Sequence, residues 1–252
     1  MPCGSRLCLS RATASIGCSR TSPPFRFLRL KPGVEPANVE FPSIGYDEIA
    51  LHSYESFKAA REAGKIAPGT RFQVSLPTPF GVLGVYVIPE DITRILPRFE
   101  EAYMREVDTI LKSIPHDDLS MQWDIAVEIV GALEAHTPGL LQLTPKAHLA
   151  EAIARVADRI PEEVELGLHY CYGSPGGRHI IQPKDTSVMV DFNNMVLERT
   201  RRPIAWVHMP VPQNRKDDAY FAPLRNLVLD DGTIAGVTSA PRYSWRRVML
   251  SD

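Results

Sequence analysis

The sequence predicts an α/β fold of the TIM-barrel type, (β/α)8, in a single domain over residues 35–252. Three observations lead there. From about residue 40, β-rich runs alternate with helical patterns, which implies parallel strands joined by right-handed crossovers. The length of 252 residues suits one α/β barrel. Polar residues gather at the C-terminal ends of the predicted strands, where parallel α/β proteins carry their chemistry.

The elements are read in order. Residues 53–63 form a short helix stopped by Gly64, and residues 71–76 a strand that ends at Pro77. Glu90 and Asp91 open a long helix with Ile92, Ile95, Phe99, Tyr103, Val107 and Ile110 at helical spacing. Pro97 marks a kink in it or its start. Residues 120–127 are the next strand. Thr144 and Pro145 read as an N-cap and a first-turn proline, with a helix through Leu149, Ile153, Val156 and Ile160. Residues 164–171 form a strand that leads into the glycine-rich loop 173–177. Asp185 opens a helix through Val188, Phe192, Met195 and Leu197, and residues 204–208 are a strand closed by Pro210 and Pro212. A short helix is expected at 220–227 and a weak strand at 233–237. That makes four good strands and one weak one, against the eight of a closed barrel. The missing strands are expected in residues 20–50 and the C-terminus, unless the barrel is incomplete at its termini.

Composition narrows the function classes. Hydrophobic residues make up 44% and charged residues 23%, with 28 basic and 30 acidic side chains and a net charge of −2. This balance carries neither a nucleic-acid nor a membrane-surface footprint, so the expected partner is a small-molecule substrate. The longest apolar run, residues 80–89, is too short to cross a bilayer. Cys3, Cys8 and Cys18 crowd the first 18 residues and Cys171 stands alone, which fits a reducing compartment rather than a disulfide framework. Residues 1–34 carry Arg6, Arg11, Arg20, Arg26, Arg29 and Lys31 and no acidic residue. That stretch reads as a disordered tail or a mitochondrial targeting segment, so a cytoplasmic location is expected, with a mitochondrial one as the alternative.

Candidate site residues follow from the strand ends. Gln122 and Asp124 share one face of their strand and could grip a polar ligand together; Glu128 follows closely. His169 and Cys171 are two apart, so they too share a face. An imidazole beside a thiolate can hold zinc, which takes nitrogen and sulfur ligands. The same pair could lower the Cys171 pKa for nucleophilic attack, or be a core histidine beside an inert cysteine. His208 is a third metal ligand or a general base. Arg178 and His179, in the glycine-rich loop, suit an anionic substrate group. His52, His116, His136 and His148 read as surface positions.

Taken together, these motifs resemble a known family. His169-Tyr170-Cys171 resembles the zinc strand of cobalamin-independent methionine synthase, which carries His-x-Cys, and Gln122-Trp123-Asp124 resembles that family's Gln-x-Asp strand. Residues 114–124 look closest to a less characterised branch of the same superfamily, which also includes uroporphyrinogen decarboxylase. Residues 75–79, 182–185 and 208–212 look like further marks of that branch. The resemblance covers residues 30–230 and is more specific for fold than for reaction. It implies a barrel whose zinc keeps a substrate thiol deprotonated for attack on a methyl donor. His169 and Cys171 match two zinc ligands, and His208 stands where the family has a glutamate. The family's last cysteine ligand has no counterpart after Cys171. Asp124 matches an aspartate that holds the substrate amino group, and Ile125 stands where an acidic residue would follow. The resulting expectation is zinc-assisted methyl or other small-group transfer to a thiol, with zinc on His169, Cys171 and His208. Two alternatives stand beside it. One is a metal-free lyase or decarboxylase using Asp124 and His208, with Arg178 on a substrate carboxylate. The other is a degenerate barrel without catalysis.

Overall fold

The structure is a computed structural model and describes residues 9–13, 26–133, 143–173, 181–238 and 246–247. It opens with β1 (Leu9–Thr13) and β2 (Arg26–Leu30), an antiparallel pair. The elements that follow are α1 (Tyr46–Glu62), β3 (Phe72–Pro77), α2 (Pro79–Tyr86), α3 (Pro89–Ser113) and β4 (Leu119–Ile125). Then come α4 (Val127–Ala132), α5 (Lys146–Ala157), β5 (Glu165–Tyr170), α6 (Ser187–Leu197) and β6 (Trp206–Pro210). The last are α7 (Asp218–Phe221), β7 (Ile234–Thr238) and β8 (Arg246–Arg247).

The fold is α/β. Strands β3 to β7 form a parallel sheet in sequence order, and β8 adds to β7 antiparallel. A complete eight-stranded barrel is not seen among the described residues. The chain before β3 pairs with itself as β1–β2, and β8 reverses direction, so neither extends the parallel run. Strand β2 lies inside the basic N-terminal stretch, and its Phe27 and Leu30 are buried, so packed chain reaches into that segment.

Unbroken strand order has a consequence. Successive right-handed crossovers in one direction place their helices on one side of a sheet. That side carries Val74, Leu76, Met121, Trp123, Ile125, Leu166, Leu168, Tyr170, Val207 and Met209, all buried. Helix α1 meets it through Phe57 against Phe72 (5.3 Å between ring centroids), α3 through Tyr103 against Trp123 (6.2 Å), and α6 through Phe192 against Tyr170 (6.3 Å). Alternate residues point the other way. These are Ser75, Gln122, Asp124, Gly167, His169, Trp206 and His208, and they make a polar face.

Local features depart from the expected elements for identifiable reasons. Helix α1 begins seven residues earlier than expected, at Tyr46. The Glu106 carboxylate, from α3, accepts the backbone N–H groups of Ile44, Gly45 and Tyr46, so orphan donors at that helix start are satisfied from across the core. The apolar run 80–89 holds helix α2, which lacks an amphipathic signal because it is wedged between α3 and α4. Gly84 permits the contact, since a Cβ there would come within 2.5 Å of Val127 Cγ1. Helix α3 continues through Pro97. Arg202 is buried without a carboxylate and donates instead to the carbonyls of Ile160, Pro161 and Val164, at 2.7–2.8 Å. No helix among the described residues is long and apolar enough to cross a membrane.

Candidate functional site

One row of paired residues crosses the sheet near its C-terminal end: Pro77, Asp124, His169, His208 and Gly236, on β3 to β7. Laterally paired residues of a parallel sheet share a face, so Asp124, His169 and His208 stand side by side on the polar one. The two imidazoles stack, with ring centroids 4.6 Å apart and planes 14° from parallel, and their Nδ1 atoms are hydrogen-bonded to each other. Of two facing nitrogens one donates and the other accepts, so the pair is matched only when at least one ring is neutral. Burial pushes both rings down to about pKa 4, and for His208 the neighbouring His169 adds to the effect. Both are therefore neutral at physiological pH.

One turn of the pleat below lies a second row: Ser75, Gln122, Gly167, Trp206 and Ile234. Gln122 Nε2 donates to Asp124 Oδ1 (2.8 Å) and Ser75 Oγ (3.4 Å), while Trp206 Nε1 donates to Gln122 Oε1 (3.1 Å). The indole reaches from β6 to a partner on β4, so it must pass over β5. It does so at Gly167, where a Cβ would lie 1.9 Å from Trp206 Cε2 and 2.1 Å from Nε1. A glycine inside a strand marks this kind of close approach. Burial raises the Asp124 carboxyl above its usual range, and Gln122 offsets part of that.

The remaining predicted site residues are placed differently. Cys171 follows β5 on the same face as His169, but its sulfur accepts the Gly173 N–H (3.3 Å). Burial raises its pKa and the nearby Asp124 charge adds to that, so the thiol stays protonated. A neutral imidazole supplies no positive charge that would lower the thiol pKa. Glu128 stands just past the C-terminal end of β4, beside Thr78 at the end of β3. It is fully buried in α4, accepts from Thr78 Oγ1, and leaves Oε2 without a partner. Burial pushes its pKa up to about 7. Arg178 and His179 lie outside the described residues. Trp206 and Gly167 were not singled out in the sequence. The available signals were an aromatic two residues before His208 and a lone glycine in mid-strand.

The donors in place meet the needs of zinc only in part. Two neutral imidazoles side by side suit the ion, but a catalytic zinc takes three protein ligands. Among the described residues no group of three His, Cys, Asp or Glu side chains is arranged to hold a metal. The imidazole pair fits, and the third donor is not in position. A cavity of about 580 Å³ lies elsewhere, between α3 and α5 on the apolar side of the sheet, lined by Phe80, Leu96, Met104 and Leu149. Comparison with known proteins finds no matching family model, no matching curated protein and no matching solved structure.

Proposed function

We propose that this chain is a small-molecule enzyme of the methionine synthase-like barrel class. It transfers a methyl or other small group to a thiol or related nucleophile with zinc assistance. The observation that carries the reading is the in-register row Asp124–His169–His208 on the polar face at the strand ends. The proposed barrel is supported by the unbroken strand order and by helices confined to one face, the arrangement that lets a sheet curl around its polar side.

In this reading His169 and His208 are the nitrogen donors and Cys171 is the third ligand, once its thiol exchanges the Gly173 hydrogen bond for the ion. Zinc would supply a low pKa to a bound thiol at neutral pH. The chain's own residues do the rest. Asp124, fixed by Gln122, orients the substrate's polar end, and the imidazole pair remains neutral so that its lone pairs are available. Metal analysis of the purified full chain tests this. About one equivalent of zinc, lost in His169→Ala and in His208→Ala, is expected; a zinc content well below one equivalent that neither substitution changes refutes it.

A second reading is favoured by Asp124. Its raised carboxyl beside neutral His169 makes an acid–base pair that a metal-free lyase could use. Turnover that survives exhaustive chelation and falls in Asp124→Asn would select it over the first.

A further inference from the structure

The Trp206 indole is held at both ends. Its backbone belongs to β6, and its Nε1 donates to Gln122 Oε1 on β4 (3.1 Å). In between, its five-membered ring lies on the bare Cα of Gly167, with Cε2, Nε1 and Cδ2 all within 2.4 Å of where a Cβ would be. A ring pinned so close to the backbone lies along the sheet, with one face against β5 and the other turned away from it. Trp206 is partly exposed, unlike fully buried Trp123 on the apolar face. The Gln122 amide links the indole to Asp124. Asp124 Oδ1 accepts from Nε2 of the same Gln122 amide that the indole bonds, at 2.8 Å, and among the described residues no donor reaches Asp124 Oδ2. No described lysine or arginine pairs with that carboxylate.

A partly exposed indole and a carboxylate edge with no cationic partner among the described residues attract the same kind of group. The π face favours a cation lying over it, and a flat one keeps contact over its whole area. The carboxylate favours in-plane N–H donors, which a planar nitrogen cation directs outward from its edge. We propose that Trp206 and Asp124 form a subsite for a planar nitrogen cation, a guanidinium or amidinium group of the substrate, stacked on the indole and hydrogen-bonded by its edge to Asp124. This rests on reading the polar face as the substrate site and adds the class of group that it takes. Gly167 is the positioning residue, since it alone lets the indole lie flat.

The experiment uses the full chain, 15N-labelled, with the Trp206 indole N–H resonance as reporter and Trp206→Leu to assign it. Three probes are titrated: methylguanidinium, its neutral planar counterpart N-methylurea, and methylammonium. Methylguanidinium should shift the resonance saturably, binding roughly five- to tenfold more tightly than either of the others. Asp124→Asn should weaken methylguanidinium by a similar factor. Trp206→Phe should retain part of the affinity, and Trp206→Leu, followed by ligand-observed NMR, should lose it. Equal binding of N-methylurea would remove the charge from the proposal. Equal or tighter binding of methylammonium would remove the planarity. Unchanged affinity in Trp206→Leu would remove the platform. Because no zinc or turnover is needed, a metal-free protein that still binds methylguanidinium separates failure of the zinc reading from failure of this one.

Discussion

Replacing Glu128 with glutamine should reverse its effect on stability between acid and neutral pH. The carboxyl is fully buried, is bonded through Oε1 by Thr78, and has no partner at Oε2. Its pKa rises from 4.5 to about 7, with burial as the cause and the Thr78 bond only partly offsetting it. The sign follows from proton linkage. A group whose folded-state pKa is raised adds stability that is fully present below its unfolded pKa and is lost as pH rises through the folded value. A shift of this size corresponds to on the order of 3 kcal/mol lost between pH 4.5 and 7. Glutamine keeps an acceptor for Thr78 and cannot ionise, but it places an amide where Oε2 had no partner, at about 1–3 kcal/mol. Glu128→Gln should therefore be less stable than the parent at pH 5, should gain on it as pH rises to about 7, and should level off above that. Urea unfolding of both proteins at pH 5, 6, 7 and 8 reads the difference, from which every other titrating group cancels. A difference that stays constant over that range would refute a buried, neutral Glu128.

Other outcomes can be checked alongside. The ring protons of His169 and His208 should stay in their neutral state as pH falls past 6.5 and titrate only near 4; titration near 6.5 by NMR would contradict their burial. Their lowered pKa values imply stability that is present above pH 6.5 and declines towards pH 4. Gly167→Ala should destabilise by about 1–3 kcal/mol through collision with the indole and much less in a Trp206→Ala background, a double-mutant cycle that thermal unfolding resolves. Cys171 should alkylate more slowly at pH 7 than an unperturbed cysteine, as peptide mapping by mass spectrometry would show. Arg202→Met removes the donor to the Ile160 and Val164 carbonyls and one of two donors to that of Pro161, and should lower stability by about 3 kcal/mol in urea unfolding.

Much of this architecture was legible along the chain. The runs at 71–76, 120–127, 164–171, 204–208 and 233–237 are strands β3 to β7, and their alternation with helices implied the parallel pairing. Period-two spacing also put Gln122 with Asp124, and His169 with Cys171, on common faces, because that spacing is a property of any extended chain. Register between strands is not. The pairing of Asp124 with His169 and of His169 with His208 depends on where each helix returns the chain, and only tertiary packing decides that. Helix α1 starts where it does because of a carboxylate 60 residues away, and the full burial of Glu128 was not legible because the sequence gives no view of α2 closing over it. Gly167 and Trp206 carry no shared local pattern, being 39 positions apart. Their meaning appears only when β5 and β6 lie side by side, since burial, proton affinity and ring placement all depend on neighbours that folding supplies.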